Sequence, residues 1–243
     1  MNFKVSDSCV QCNSCINVCP TKSLSLVDGL VTFNSSRCMK CGQCFSICPT
    51  ASISMFDCDP STNISSDPLV KAIQMRRSVR SYKSEPLSNE KITEMLQIIR
   101  FAPSARNARN TRYIVINRPK LLQLIPVIGE ILLNIYPHMK AMIQAGGDAI
   151  FRGAPHLIVA VESVPQPTDD GVIALAEFEL LAQQQGYGTF WCGFFKHAQA
   201  APQVRELVGL NQQDKVTAAL GFGIADIQYE RPAAREKVAV TFI

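Results

Sequence analysis

The sequence predicts an α+β protein in two parts: a small cysteine-rich domain at residues 1–58 and a larger sheet-and-helix domain at 68–243, joined by a short linker at 59–67. Three observations predict it. One cysteine pattern occurs twice within the first 49 residues. Nine of the ten cysteines fall in the first 58 residues, leaving Cys192 alone, and this asymmetry marks a domain boundary. Beyond residue 67 the chain alternates amphipathic helical patches with short apolar runs, the pattern of a sheet with helices packed against it.

The repeated stretch reads Cys9-x2-Cys12-x2-Cys15-x3-Cys19-Pro20 and then Cys38-x2-Cys41-x2-Cys44-x3-Cys48-Pro49. The copies agree beyond the cysteines: both continue Pro-Thr, then Ser-apolar-Ser (Ser23-Leu24-Ser25, Ser52-Ile53-Ser54), and close on Asp28 and Asp57. A cubane iron–sulfur cluster needs four thiolates converging from different directions. Three cysteines at a spacing of three fit one loop wrapped around it, and the fourth must come from elsewhere. In the bacterial two-cluster pattern the fourth Cys of each run ligates the other cluster. That assigns Cys9, Cys12, Cys15 and Cys48 to one [4Fe–4S] cluster, and Cys38, Cys41, Cys44 and Cys19 to the second. Zinc sites use four ligands, usually as two separated Cys-x-x-Cys pairs, and disulfides suit secreted chains. Neither accounts for two four-cysteine runs ending in Pro. The stretch closely resembles a two-cluster bacterial-type ferredoxin domain.

Composition bounds the rest. Apolar residues make up 47% of 243, enough for a substantial core. Charge is balanced over the first 60 residues, so the net +4 belongs to the remainder. So small an excess, without a basic tract, argues against nucleic acid as a partner. Residues 1–7 lack the apolar core of a signal peptide. The most apolar run, Leu121 to Tyr136, is interrupted by Pro126, Glu130 and Asn134 and is too short to span a membrane. The expectation is a cytoplasmic protein in a reducing compartment.

Along the chain, Cys58 to Pro68 is rich in Pro, Ser, Asn and Asp and reads as loop, with Cys58 a packing thiol. Asp67-Pro68 is a helix start, an acidic N-cap followed by Pro at the first helical position. The segment Arg76-Arg77-Ser78-Val79-Arg80 follows that helix. If extended, it places Arg76, Ser78 and Arg80 on one side and Val79 on the other, and two guanidinium forks with a hydroxyl suit a phosphate. Ser88 caps a helix with Ile92, Met95, Leu96 and Ile99 on one face. Strands follow at Tyr113 to Ile116, His156 to Val161 and Val216 to Gly221. Helical patches occupy Pro119 to Ile135, Pro137 to Phe151 and Val172 to Gln185, and a tail ends at Val238 to Phe242. Gly221-Phe222-Gly223 lacks the third Gly and the helix of a dinucleotide fingerprint and reads as a strand end. His138, His156 and His197 are scattered, so no triad or metal site is indicated. Cys192 and the aromatic cluster around Trp191 read as core, and Glu177 and Glu179 as a solvated helix face.

Three separated patterns then combine: Arg76-x-Ser78-x-Arg80, Pro103-Ser104-Ala105-x-Asn107, and Gly186-Tyr187-Gly188-Thr189-x-Trp191. Their order and spacing resemble the FMN-dependent nitroreductase family, and the whole chain is similar to its ferredoxin-fused branch. The resemblance implies a mixed central sheet flanked by helices, in an intertwined homodimer with FMN at the subunit interface. It implies that Arg76, Ser78 and Arg80 hold the phosphate, ribityl chain and ring edge. It places Pro103, Ser104, Ala105 and Asn107 at the flavin of the neighbouring subunit, offers backbone at Tyr187 and Gly188, and adds Arg235 of Pro232-x-x-Arg235 at the phosphate. Where many members carry Gln-Pro-Trp after that Asn, this chain has Arg109-Asn110-Thr111. The implied chemistry is electron passage from two [4Fe–4S] clusters to FMN and on to a small organic acceptor: a nitroaromatic, a quinone or an activated alkene. A ferredoxin or other redox protein would be the donor. The alternatives are an electron carrier or redox sensor without its own substrate, and an NAD(P)H-driven flavin reductase with the clusters as outlet. No side-chain acid is required, since the flavin itself transfers the hydride.

Overall fold

The computed structural model describes residues 2–58, 64–144 and 148–243, so residues 59–63 of the expected linker and 145–147 of the second helical patch lie outside the described residues. The chain divides into two compact units, Met1–Arg76 with Gln228–Ile243, and Arg77–Ile227.

In chain order the first unit holds β1 (Lys4–Val5), α1 (Ser14–Asn17), β2 (Leu24–Val27), β3 (Leu30–Phe33), α2 (Gln43–Ile47), β4 (Ile53–Ser54) and α3 (Pro68–Met75). The duplication in sequence is a duplication in structure. Each cysteine run passes through a left-handed residue, Asn13 (φ 61) or Gly42 (φ 71), into a one-turn helix carrying its third cysteine, and then into a short strand. β1 pairs antiparallel with β4, joining the unit's start to the end of the second copy. β2 and β3 form a hairpin whose tip, Asp28-Gly29, takes positive φ at both residues, as a tight two-residue turn requires. The core is small: Leu24, Phe45, Ile53 and Met55 with Cys15, Cys48 and Ala234. A core of that size leaves the unit dependent on further cross-links, which metal ligation supplies in small domains. α3 begins as the sequence predicts, with the Asp67 carboxylate accepting from the Val70 N–H (2.9 Å) and Pro68 in the first turn.

The second unit contains α4 (Asn89–Ile98), β5 (Thr111–Asn117), α5 (Arg118–Ile135), α6 (Lys140–Gln144), β6 (His156–Glu162), α7 (Asp170–Gln184), β7 (Tyr187–Trp191), α8 (Gly193–Ala198), α9 (Pro202–Val208) and β8 (Lys215–Ile224). The strands form an antiparallel sheet in the order β5-β6-β8-β7, and a parallel bridge from Ser78 to Thr189 on the β7 edge makes it mixed. β6 is buried along its whole length, which is why it reads as a continuous apolar run. Its residues alternate: Leu157, Val159 and Val161 pack with α5, α8 and α9, while Ile158 and Ala160 pack with α4 and α7. Ser88 caps α4 by accepting from Lys91 N–H (3.2 Å), and Asn117 does the same for α5 at Lys120 (3.3 Å). The expected strands and helices are present with two differences: β8 runs three residues past Gly221 to Ile224, and the helical patch expected at Pro137 to Phe151 ends with α6 at Gln144, residues 148–151 forming a turn in which Asp148 accepts from the Ile150 and Phe151 N–H groups. Among the described residues no helix is long and apolar enough to cross a membrane.

Candidate functional site

The eight cysteines of the two runs fall into two groups. Cys9, Cys12, Cys15 and Cys48 line one small cavity, and Cys19, Cys38, Cys41 and Cys44 line another. Each cavity thus takes three thiols from one run and the fourth from the other, walled by apolar side chains such as Val31 and Ile53 or Leu24, Phe33 and Met55. Among the described residues no three or more His, Cys, Asp or Glu side chains are arranged to hold a single metal ion. Four thiols spaced around a cavity suit an inorganic core of several metal atoms.

The electrostatics fit such a core. Burial pushes the Cys15 thiol up to about 11, and the neighbouring Cys48, Cys12 and Cys9 add to it. Burial, followed by Cys41, pushes Cys44 up to about 12. Four thiolates around an apolar space repel one another, and a cationic iron core removes that cost. Other groups already favour the charged sulfur. Burial would raise Cys19, yet the Ser23 N–H (3.2 Å) and the Thr21 hydroxyl (3.6 Å) outweigh it and hold the thiol below its ordinary value. The second copy repeats the arrangement at Cys48, with Ser52 N–H at 3.3 Å and Thr50 at 3.7 Å. In both, the Thr and Ser hydroxyls bond each other, at 2.7 and 2.6 Å. The repeated Pro-Thr-x-Ser therefore has a reason: it surrounds the fourth sulfur with donors.

In the second unit the segment after α3 lies along β7. Val79 N–H donates to Thr189 O at 2.7 Å, and Tyr82 hydroxyl to Val79 O at 2.7 Å. Burial alternates along it: Arg77 and Val79 are buried, while Arg76, Ser78 and Arg80 are half-buried. Gly188 permits the approach, because a Cβ there would sit 2.5 Å from Val79 Cγ1. Arg80 has a neighbour that sequence reasoning missed. Burial lowers the Arg152 pKa, and the Arg80 guanidinium lowers it further. The Asp148 carboxylate acts in the opposite direction on the same guanidinium.

The turn at 103–107 is held from a different side. Asp170, at the start of α7, accepts the Ala105 N–H with both carboxylate oxygens (3.1 and 3.2 Å), and Ser104 O accepts from Asn107 N–H (2.9 Å). Arg106 and Asn107 take positive φ (both 54), and Asn107 Oδ1 accepts from Arg109 Nε at 3.0 Å. This turn leads into β5, whereas residues 78–80 and 187–188 lie at β7, so the two segments occupy opposite edges of the sheet. Glu179 is buried rather than solvated, and accepts from Thr189 Oγ1 (3.2 Å) and Trp191 Nε1 (2.9 Å). Trp191 is 36% exposed at the end of β7 and is not core. Arg235 lies in the first unit, its Nη1 donating to Cys41 O (3.1 Å) and Ala234 O (3.1 Å). Cys58 donates to Arg235 O at 3.3 Å. Neither Asp170 nor Arg152 carries a sequence signal, since each acts through a partner far along the chain.

Comparison with known proteins agrees with both units. Residues 73–224 match the model of the nitroreductase family, and residues 1–49 match a 4Fe-4S dicluster domain. An Archaeoglobus fulgidus protein provisionally named NADH dehydrogenase/NAD(P)H nitroreductase is 26% identical over 63% of this chain and 83% of its own length. A Methanothermobacter thermautotrophicus protein with the same name is 24% identical over 71% and 84%. Among solved structures, an FMN-bound nitroreductase from Desulfitobacterium hafniense superposes with TM-score 0.62 at 24% identity, covering 74% of this chain and all of that one. Another from Bacteroides fragilis gives 0.61 at 20%, covering 72% and 98%.

Proposed function

Since the chain belongs to the nitroreductase family, we propose that it is an oxidoreductase that passes electrons from two [4Fe–4S] clusters to FMN and on to a small organic acceptor. The observation that carries this reading is the sorting of eight thiols into two four-thiol cavities in a chain whose other unit has a nitroreductase fold. The acceptors that fit are nitroaromatics, quinones and activated alkenes. A ferredoxin or similar redox protein is the proposed donor.

When bound, FMN would supply hydride and one-electron chemistry, and the clusters one-electron transfer. The chain's own residues do the positioning. In this reading Arg76, Ser78 and Arg80 grip the phosphate and ribityl chain, with Arg152 sharing the anionic charge. Tyr187 and Gly188 present backbone, and Trp191 walls the flavin side of β7. Pro103, Ser104, Ala105 and Asn107 sit three strands away, roughly 14 Å at about 4.8 Å per strand. One chain's turn therefore does not close over its own β7 edge, which supports a homodimer in which a second copy supplies it.

The test is turnover. Anaerobically reduced holoprotein is mixed with a nitroaromatic, a quinone and an activated alkene, and reoxidation is followed. Oxidation by at least one supports the reading. Oxidation by none, with transfer only to a partner protein, replaces the enzyme with a carrier. A second donor, NAD(P)H, is favoured by the names of the two relatives. Loss of flavin absorbance on mixing with NAD(P)H would establish it, and an unchanged spectrum would remove it.

A further inference from the structure

The two cysteine runs are near-copies, and so are the backbone contacts of their fourth cysteines: Ser23 N–H on Cys19 at 3.2 Å, Ser52 N–H on Cys48 at 3.3 Å. Two identical environments would give two clusters of equal potential. The copies differ where their short helices end. The last carbonyls of any helix lack partners within it. In the first copy Ile16 O takes the Cys19 N–H (3.2 Å). In the second, the equivalent carbonyl, Phe45 O, is taken by Arg231 Nη1 from the chain's far end (2.9 Å). The same nitrogen donates to Cys48 O at 2.6 Å, and Glu230 N–H donates to Ser46 O at 2.9 Å.

This contact is built in rather than superficial. Arg231 is 9% exposed, and Ala234, 2% exposed, belongs to the same core as Cys15 and Cys48. The tail passes so close to the second run that a Cβ on Gly42 would stand 3.3 Å from Ala234 O. Arg235, which reaches Cys41 O, is exposed, so solvent screens its charge. The Arg231 charge is not screened in that way.

We infer that Arg231 makes the two clusters unequal: its buried guanidinium, fixed on the main chain of Cys48, raises the reduction potential of the cluster held by Cys9, Cys12, Cys15 and Cys48 above that of its twin. The inference rests on the two-cluster reading. Reduction adds one electron to a cluster, and a cation held in a poorly screened place stabilises the added negative charge. An electron shared between the twins then rests on this one. A guanidinium on helix carbonyls also caps α2, which favours a cation there in its own right. The experiment must therefore separate charge from capping.

Full-length protein carrying Arg231→Gln, Arg231→Met or Arg231→Lys is reconstituted anaerobically, assayed for iron, and titrated potentiometrically with EPR detection. Wild type is expected to hold about eight irons and to reduce in two separable steps. An iron count near four in wild type sinks the two-cluster reading before any variant is compared. With about eight irons retained, a neutral variant is expected to move the higher step down while the lower stays, and Arg231→Lys to leave both near wild type. The inference is overturned by coincident wild-type steps, by a neutral variant with unmoved steps, or by Arg231→Lys shifting as far as Arg231→Gln. It is also overturned if neither neutral variant keeps its iron, for Arg231 would then hold the cluster rather than set its potential.

Discussion

Replacing Gly188 with Ala is expected to weaken flavin binding by displacing Ser78 and Arg80 without replacing either side chain. A Cβ at 188 would stand 2.5, 2.6 and 2.9 Å from Val79 Cγ1, Cβ and Cγ2. Ordinary carbon contacts lie near 3.5–4.0 Å, so Val79 must retreat by about 1 Å. Val79 is 4% exposed and its N–H is fixed on Thr189 O at 2.7 Å, so the retreat carries the backbone of Ser78 and Arg80 with it. Overpacking of this kind costs about 1–3 kcal/mol. If that cost falls on the bound state, FMN affinity drops by about 5- to 150-fold at 1.4 kcal/mol per tenfold. The assay is FMN titration of apoprotein by flavin fluorescence. Adding Val79→Gly removes the β-carbon and both γ-carbons in the way, so the double variant is expected to recover part of the lost affinity. A Gly188→Ala protein that binds FMN as tightly as wild type, or a double variant no better than the single, would refute the reasoning.

Three further outcomes follow from the geometry. Cys15→Ser with Cys48→Ser removes ligands of one cavity and is expected to leave about four irons, whereas Cys15→Ser with Cys19→Ser strikes both cavities and leaves close to none; iron analysis decides. Burial acts to raise the Asp214 pKa, but Ser163, the Asn211 N–H and Arg112 outweigh it and hold the carboxyl below the usual range. Its stabilisation is thus fully present above about pH 4 and lost as pH falls through the lower folded-state value, so acid melts should fall there and Asp214→Asn should flatten that dependence while costing about 2–4 kcal/mol. Trp191 is the chain's one tryptophan, so its emission should be quenched when FMN binds, and Trp191→Phe, which removes a donor to buried Glu179, should cost about 1–3 kcal/mol in thermal melts.

Much of this was legible because it is local. Cysteine spacing names the metal chemistry, an acid before Pro68 and a hydroxyl at Ser88 start helices, and the unbroken apolar run of β6 announces a buried strand. Even the alternation of burial along Arg76 to Arg80 follows from extended backbone. The unread parts are long-range. Glu179 reads as a solvated helix position because its partners, Thr189 and Trp191, lie on the next strand. Asp170 carries no signal in the sequence, because its carboxylate holds Ala105, 65 residues earlier. The tail at 228–243 reads as the end of the larger domain, yet it packs in the first unit because Arg231 and Ala234 complete a core too small to close alone. Periodicity reports which face a residue takes; it carries nothing about which distant element will meet that face.

The central claim is that iron–sulfur and flavin chemistry share this one chain. The most direct measurement is a single anaerobic preparation, with iron restored, assayed for both iron and acid-extractable flavin. The account predicts about eight irons and about one FMN per chain. Protein that holds its iron but yields no flavin would contradict it.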